Sequence, residues 1–514
     1  MEDVSESHVS MKGVDSESAA EPPFVIGPKP DLLVTTDDAL NMKLFLVNNA
    51  LDEIGFTWYH TKIAVSAGLG LAADGLLEAV HNGVRKIVGR QFQVPFPVST
   101  QVFYAGAVLG AMFWGFGADL IGRKFAFKVT LLLAAFFAVL TGCMGSYATY
   151  CVFAALSAFS AGGNLMNDLT TFLEILPSKR VWLTTLMMTW WCAGRLIGAV
   201  TSAIFVGEWS CPANEPCVSS NNRAWRYNWF ICGALLFVWA IVRVCIKVHE
   251  TPKFLVSNGR DDEAISVLHA IAAKYGRICT LTQVELEACG EVTNSNINQE
   301  YSGMRLMRSS LSYHKILMLT KKVKYLTLLV NLLWTMAGVT YNIFPHALIM
   351  YTNVHRLDSS GWLNIPLANW AWGLTAGLFG PVLAACLVRF TKLGLKGTMA
   401  VGALASMAFL FGFSAVTTQV QDGGLKSGTC FFLYVYLACL VAYTVQVFPA
   451  IARATGSAMC IVSMKMGGII SPVIFWYGTE APPSTPFWLC GAVMAFLALV
   501  SMFLRFEPSH HRSV

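Results

Sequence analysis

The segment that decides the fold, residues 115–133, reads GFGADLIGRKFAFKVTLLL and places a short polar step between two apolar blocks. Within it, Gly122 permits a tight turn, and Asp119 can face the N-terminus of a neighbouring helix. The basic pair Arg123 and Lys124 follows directly and can hold acidic partners. We therefore expect two apolar helices joined by a very short loop that carries charged side chains.

The flanking blocks belong to a chain whose composition suits the interior of a bilayer. Of its 514 residues, 55% are hydrophobic and 13% are charged, whereas a soluble domain carries roughly 25% charged residues. The mean hydropathy is +0.55. Since a spanning helix needs about 20 mostly apolar residues, the pattern predicts twelve spans, near residues 62–84, 98–118, 125–145, 148–176, 181–206, 228–247, 325–351, 363–388, 397–417, 428–448, 455–477 and 485–506.

The basic residues between these blocks predict the orientation. The formal net charge is +6, but lysines and arginines do not cluster with aromatic residues, which argues against nucleic-acid binding. Most lie in loops of one side, which is typical of the cytosolic face. We predict two cytoplasmic termini and five regions: a disordered N-terminal tail at 1–55, a six-helix bundle at 56–248, a cytoplasmic linker with short amphipathic helices at 249–324, a second bundle at 325–506 and a C-terminal tail at 507–514.

The cysteines point to structural roles. Most of the 14 lie within apolar blocks and are expected to pack as small core residues. Cys211 and Cys217 lie in a loop that would face outward, where they could close a disulfide or remain two unpaired thiols. We find no P-loop, HExxH or GxSxG motif. The chain is therefore not expected to be an enzyme or to hold a metal or cofactor.

The segment at 115–133 resembles the G-x-x-x-D-x-x-G-R-[RK] loop signature of the major facilitator superfamily. A weaker copy, LGLKGTMAVG at 393–402, has Leu395 where the family usually has Arg. FLEILPSKR at 172–180 and HETPKFLVSNGRDDEA at 249–264 resemble motifs of its sugar and organic-ion porters. AGGNLMNDLTTFLE at 161–174 and VFPAIARATGSAM at 447–459 resemble fungal transporters related to synaptic vesicle protein two-related proteins.

This resemblance implies an all-α membrane protein with twelve transmembrane helices in two pseudo-symmetric six-helix bundles, which rock about a midplane site. It also implies a cytoplasmic gate formed by Asp119, Gly122, Arg123, Lys124, Glu174, Arg180, Glu250 and Arg453. The chain departs from the subgroup at Gln446, where an acid is usual, and at Met166, where proline is usual. Both departures weaken the expected charge network of the tenth helix.

Charged residues inside the apolar blocks are the candidates for coupling. Each costs about 2.5 to 3.5 kcal/mol at the bilayer centre, so each is expected to face the bundle interior. We predict proton coupling by Asp74 first, and then by Glu78 or Asp168. In an alternative interpretation, Asp168 and Arg195 form a structural ion pair, and Glu78, one turn further outward than Asp74, meets water or Arg85.

The same blocks supply candidate substrate contacts. Arg195 and Lys465 can attract an anionic group, and Arg can hold a carboxylate through two hydrogen bonds. Aromatic rings could stack on a substrate, although most tryptophans in such a chain pack or anchor helices. The predicted substrate-binding residues are Asn164, Arg195, Trp334, Tyr341, Asn342 and Lys465.

Together these features predict a secondary transporter for a small organic anion or fungal metabolite, driven by protons. The expected partners are lipid, protons and the solute, and we expect a monomer in the plasma membrane or, alternatively, in a vacuolar membrane. Nutrient uptake and metabolite efflux fit the motifs equally well. The alternative from another class is a sensor that keeps the transporter fold without transporting, which the eroded motifs at Leu395 and Gln446 suggest.

Overall fold

The computed structural model describes residues 37–94, 98–121, 123–212, 215–292, 321–355, 366–416, 418–449, 452–477, 484–504 and 506–508. We number its helices α1 (Asp38–Ile54), α2 (Trp58–Gln91), α3 (Val98–Ile121), α4 (Arg123–Cys143), α5 (Tyr147–Ala161), α6 (Asn164–Ile175), α7 (Leu183–Leu186), α8 (Met188–Trp209), α9 (Ala224–Cys245), α10 (Pro252–Ser257), α11 (Asp261–Lys274), α12 (Gln283–Glu287), α13 (Lys321–His355), α14 (Pro366–Gly377), α15 (Gly380–Phe390), α16 (Gly394–Gly412), α17 (Gln419–Val447), α18 (Arg453–Tyr477) and α19 (Thr485–Met502).

The long helices follow the predicted apolar blocks. Ten candidate spans in the described part of the chain are long and apolar enough to cross a membrane. Helix α3 covers a further predicted block, and the consecutive helices α5 and α6 cover another, with a break at residues 162–163. The helices thus occupy all twelve predicted positions.

Two helical bundles pack side by side. In the first, α2 packs against α8, α6 and α9, while α3 and α4 pack against α5. In the second, α13 packs against α18 and α19, while α17 packs against α14 and α16. The pairs α3 with α18 and α8 with α14 join the two bundles. Residues carried on α2, α8, α13 and α18 can therefore meet at the centre of the molecule.

Helix α1 corrects the prediction of a disordered tail over residues 1–55. Residues 1–36 lie outside the described part of the chain, but residues 38–54 form a helix whose first turn is capped by the Asp37 carboxylate. Leu40, Leu44, Val47 and Leu51 recur at helical spacing and are buried. Burial of this continuous apolar stripe offsets the conformational entropy that the segment loses when it becomes ordered. Residues 38–54 are therefore part of the fold.

Polar contacts attach α1 to its neighbours. Lys43 Nζ lies 2.5 Å from the Asp261 carboxylate at the start of α11. The Glu53 carboxylate accepts hydrogen bonds from the backbone N and the hydroxyl of Thr280, at 2.9 and 2.8 Å. We call the end of the molecule that carries α1 and α10–α12 the linker end. Three short helices, α10 to α12, lie there before residue 293, where amphipathic helices were predicted.

The opposite end, the loop end, carries the connection between α8 and α9. Arg90 at the end of α2 donates to the carbonyl oxygen of Pro212 in this connection, at 3.0 Å. Cys211 and Cys217 are joined in a disulfide, with their Cα atoms 5.3 Å apart. Helix α2 thus runs from the linker end to the loop end.

The docking of α1 makes a testable prediction. We expect Leu44→Asp to detach the helix, because it replaces a fully buried apolar contact by a charge, at a cost of about 3 kcal/mol. Limited proteolysis of the purified protein should then cut within residues 38–54. Met42→Asp, at a half-buried position of the same helix, should increase cleavage much less. Equal protection of both variants would show that the stripe does not hold α1.

Candidate functional site

Four charged side chains meet between the two bundles. Asp74 and Glu78 lie on α2, Arg195 on α8 and Lys465 on α18, and each is at most 5% exposed. Lys465 Nζ lies 3.2 Å from Asp74 Oδ2 and 3.1 Å from Glu78 Oε2. Since α2 and α18 belong to different bundles, this lysine joins the two halves by ion pairs. We call Asp74, Glu78, Arg195 and Lys465 the central cluster.

Small residues bring the helices of the central cluster close together. A Cβ atom added at Gly194 of α8 would lie 1.9 Å from the carbonyl oxygen of Ala72 on α2. A Cβ at Gly467 of α18 would lie 2.8 Å from the carbonyl carbon of Gly338 on α13. Only glycine permits such backbone contact between helices. The charged side chains beside these contacts are therefore held at short range.

Arg195 lies against aromatic rings. Its Cζ atom is 4.5 Å from the ring centroid of Tyr341, 5.1 Å from that of Trp191 and 6.0 Å from that of Trp370. Its Nη1 atom is 4.0 Å from Glu78 Oε1, which is an ion-pair distance but too long for a hydrogen bond. Nε and Nη1 have no hydrogen-bond acceptor among the described residues. This buried guanidinium thus retains donor capacity.

Aromatic donors hold the two carboxylates. Tyr341 of α13 donates its hydroxyl to Glu78 Oε1 at 2.5 Å, and Tyr104 of α3 donates to the same oxygen at 3.1 Å. Trp191 donates its indole N–H to Asp74 Oδ2 at 3.0 Å. Glu78 is 1% exposed. It therefore does not meet water at the surface, contrary to the alternative interpretation. A position one turn further along α2 still faces the neighbouring helices.

The cluster contains two carboxylates and two cations, so its formal charge is zero when all four are ionised. Because the four groups are buried, water screens their charges only weakly. Adding a proton or an anion therefore has a large effect on the electrostatic energy of the cluster. Protonation of a carboxylate would leave a net positive charge there. The arrangement can therefore link the binding of a proton to the binding of an anion.

Asp168 forms a second buried pair, within the first bundle. It bonds to Arg243 of α9, and not to Arg195, so the Asp168–Arg195 pair of the alternative interpretation is wrong. Arg243 Cζ also lies 3.5 Å from the ring centroid of Phe127. Sequence reasoning missed Arg243, although an arginine within the apolar run WAIVRVC was a signal of the same kind as Arg195.

A third pair joins the bundles near the linker end. Arg453 Nη1 at the start of α18 lies 3.4 Å from Glu174 Oε1 at the end of α6. Thr251 donates its hydroxyl to Glu174 Oε2 at 2.6 Å, and Arg453 Nε donates to the carbonyl oxygen of Phe448 at 3.2 Å. We call Glu174, Thr251 and Arg453 the linker-end latch. Two of the predicted gate residues are thus in direct contact.

Of the other predicted gate residues, three have described side chains: Lys124, Arg180 and Glu250. The side chains of Lys124 and Arg180 are exposed, and Arg180 Cζ lies 5.9 Å from the ring centroid of Phe56. Glu250 is half-buried beside the latch residue Thr251. Gly122 and the side chains of Asp119 and Arg123 lie outside the described residues.

The predicted substrate residues fall into two groups. Arg195, Tyr341 and Lys465 meet in or beside the central cluster. The others serve helix contacts or lie elsewhere: Trp334 donates its indole N–H to Thr444 Oγ1 at 2.8 Å, Asn342 donates to the Gly338 carbonyl oxygen at 2.7 Å, and Asn164 is buried at the start of α6. Tyr104 and Trp191 donate to the central cluster but were not predicted as site residues, because buried aromatic residues are common in any span.

Comparisons with known proteins agree with this architecture. A family model described as Major Facilitator Superfamily matches residues 86–435. An uncharacterized MFS-type transporter of Schizosaccharomyces pombe is 30% identical over 90% of this chain and 88% of its own. A protein named MFS siderochrome iron transporter 1, from Ceriporiopsis subvermispora, is 29% identical, covering 94% and 95%. The synaptic vesicle 2-related protein of Rattus norvegicus is 24% identical, covering 92% and 82%.

Solved structures show the same fold. The proton:xylose symporter XylE, bound to 6-bromo-6-deoxy-D-glucose, superposes with a TM-score of 0.65 at 17% identity, covering 87% of this chain and 96% of that one. A partially occluded inward open conformation of the xylose transporter XylE from E. coli gives a TM-score of 0.63 at 16% identity, covering 88% and 99%. At such identities the likeness concerns the fold alone.

Proposed function

The chain belongs to the Major Facilitator Superfamily, and from this we propose that it is a secondary transporter that moves a small organic anion by alternating access, coupled to protons. The predicted family and fold are confirmed by the family match and by the superposition on sugar transporters. The substrate class and the coupling rest on the chemistry of the central cluster.

The observation that carries the proposal is the pairing of Lys465 with Asp74 and Glu78 across the two bundles. Charged groups at the interface between the halves are where alternating access places a binding site. Separation of the bundles breaks these pairs, and a buried charge without a partner is costly. A bound proton and a bound anion together would satisfy the charges, which supports coupling of the two.

The linker-end latch supports alternating access. Opening toward the linker end requires Glu174 and Arg453, which lie on different bundles, to separate from their 3.4 Å contact. The hydrogen bonds of Glu174 to Thr251 and of Arg453 to the carbonyl oxygen of Phe448 hold the two side chains at this contact. We propose that this latch is the part of the predicted cytoplasmic gate that Glu174 and Arg453 form.

The charge of the linker end supports a cytosolic orientation. Lys124, Lys247 and Lys274 all lie near His249 there, and the pKa of His249 is lowered by burial first and then by these three positive charges. An excess of lysine and arginine is typical of the cytosolic side. We propose that both termini are cytosolic and that the protein works in the plasma membrane.

Metabolite profiling tests the substrate class. We expect cells with and without the gene to differ in the distribution of one hydrophilic organic acid between the cell and the medium, and the sign of the difference gives the direction of transport. Purified protein in liposomes should then accumulate that acid against its gradient when a pH difference is imposed, and should lose the accumulation when a protonophore is added. Protein-free liposomes are the control, and accumulation that ignores the protonophore contradicts proton coupling.

The alternative is a membrane sensor without transport, which the departures at Leu395 and Gln446 suggested. Both positions are hydrogen-bonded in the structure, Gln446 through its side chain and Leu395 through its backbone N. Gln446 donates to Thr184 Oγ1 at 3.0 Å, across the two bundles, and Glu507 accepts hydrogen bonds from the backbone N of Leu395 and Lys396 at 2.9 and 3.1 Å. Gln446 thus keeps a hydrogen bond between the two bundles, which supports transport. Measured turnover of any solute would exclude the sensor.

A further inference from the structure

The two carboxylates of the central cluster differ in the cations that they serve. Lys465 Nζ lies 3.2 Å from Asp74 and 3.1 Å from Glu78, so this lysine has two counter-ions. Arg195 lies 4.0 Å from Glu78, and this is its one ion pair within the described part of the chain. Glu78 is thus a counter-ion of both cations, whereas Asp74 is a counter-ion of Lys465 alone.

This difference decides what protonation would do. If Asp74 takes up a proton, Lys465 and Arg195 both keep the ionised Glu78. If Glu78 takes up the proton instead, Lys465 keeps Asp74, but Arg195 loses its carboxylate. A buried cation without a counter-ion is strongly disfavoured. Protonation of Glu78, and not of Asp74, therefore favours the binding of an anion, and it favours that binding at Arg195.

Arg195 is prepared to receive such an anion. The side chain is 1% exposed, and its Nε and Nη1 atoms find no acceptor among the described residues. The rings of Tyr341 and Trp191 lie 4.5 and 5.1 Å from its Cζ atom, and the hydroxyl of Tyr434 also faces the guanidinium. The planar guanidinium matches the geometry of a carboxylate.

The surroundings of Glu78 allow it to change protonation state without losing its place. The titratable and charged groups that face it are Asp74 on its own helix, Tyr104 on α3, Arg195 on α8, Tyr341 on α13 and Lys465 on α18. His81, one turn further, lies within hydrogen-bond distance of the Thr100 hydroxyl, at 3.3 Å. The two tyrosines donate to a single oxygen, Oε1, which still accepts when a proton is added to Oε2.

We propose that Glu78 is the proton-exchanging carboxylate, that Asp74 is the permanent counter-ion of Lys465, and that a monoanionic group of the substrate binds Arg195 when Glu78 is protonated. The proposal rests on the proposed transport function and assigns its residues. It revises the order expected from the sequence, in which Asp74 came first. The proton moves from water to Glu78 and returns to water on the other side, and no bond of the substrate changes.

The assignment fixes a stoichiometry. The empty cluster, with two carboxylates and two cations, has no net charge. The loaded cluster has a neutral Glu78, an ionised Asp74, two cations and one bound monoanion, and it also has no net charge. Both reorientation steps are therefore electroneutral, with one proton carried per monoanion. Transport should respond to a pH difference and not to the membrane potential.

Infrared difference spectroscopy tests which carboxylate titrates, and the only probe it needs is the proton. The full chain in lipid is titrated from alkaline to acidic pH, and the C=O stretch of protonated carboxyl groups is recorded. We expect one buried carboxyl band of the wild type to be lost in Glu78→Gln and kept in Asp74→Asn. Asp262→Asn, an exposed acid on α11, is the control for loss of a surface carboxyl.

The results separate cleanly. A band kept in Glu78→Gln and lost in Asp74→Asn overturns the assignment, as does a wild type without any buried band that titrates. If Glu78→Gln does not fold, survival of the band in Asp74→Asn still decides against Asp74. In liposomes, the acid found by profiling should be transported equally with and without an imposed potassium diffusion potential. Proton-coupled transport that depends on this potential refutes the stoichiometry, whereas absence of any transport refutes the proposed function.

Discussion

The variant Lys465→Gln is expected to lose transport and much of its stability, because it removes the cation that lies between Asp74 and Glu78. Removing one partner of a buried pair costs about 3–5 kcal/mol, since the other charge stays buried without compensation. Here two carboxylates are affected, while Arg195 at 4.0 Å can serve Glu78 only. The unfolding temperature of the purified protein in lipid measures the loss.

Two double variants sharpen this prediction. Lys465→Gln combined with Asp74→Asn leaves Glu78 with Arg195 and should recover most of the lost stability. Lys465→Gln combined with Glu78→Gln leaves Asp74 without a cation and Arg195 without a carboxylate, so it should recover little. The two double variants carry the same formal charge and differ only in which carboxylate remains. Equal recovery would show that the cluster responds to total charge and not to the pairing described above.

The second large effect is expected at the pair of Asp168 and Arg243. Both side chains are at most 1% exposed, and Arg243 also lies on the ring of Phe127. Arg243→Gln and Asp168→Asn should each lower the free energy of unfolding by about 3–5 kcal/mol, because each leaves a buried charge unpaired. The double variant removes both charges and should be considerably more stable than either single variant.

Arg226→Gln is the matched control. This arginine lies on the same helix, α9, is half-buried and donates to the carbonyl oxygen of Met144 at 3.2 Å. Its loss should cost about 1 kcal/mol. We further expect the double variant of Asp168 and Arg243 to keep proton-coupled transport. If the folded double variant transports the solute without proton coupling, Asp168 takes part in that coupling.

The fold followed from patterns that lie within short stretches of sequence. Apolar blocks of about 20 residues gave the positions of the spans, since a bilayer demands that length. The loop at 115–133 indicated the family. Lys465 and Asp74 were recognised because a charge in a span is expensive and therefore calls for a partner. Each of these inferences needs only the neighbouring residues of one helix.

The pairing of charges could not be predicted in the same way. Asp168 was expected to meet Arg195 and meets Arg243, because the rotation of each helix about its axis depends on packing over the whole bundle. Glu78 was predicted to couple protons, with contact to water or Arg85 as the alternative, and the two could not be distinguished because its neighbours on four other helices were not known. The apolar stripe of α1 is present in the sequence, but the acidic segment before it led to the prediction of a disordered tail over the whole of residues 1–55.

The shared pairing of Lys465 also constrains how such a protein can evolve. Its partners come from a helix nearly 400 positions away in the chain, in the other bundle. Replacement of Glu78 alone leaves Arg195 without its carboxylate, and replacement of Lys465 alone leaves Asp74 without its cation. A change of solute class that involves either position therefore requires at least two matched replacements. Relatives that carry different classes of solute should therefore change position 78 together with 195, and position 465 together with 74, and intermediates changed only at 78 or only at 465 should be rare.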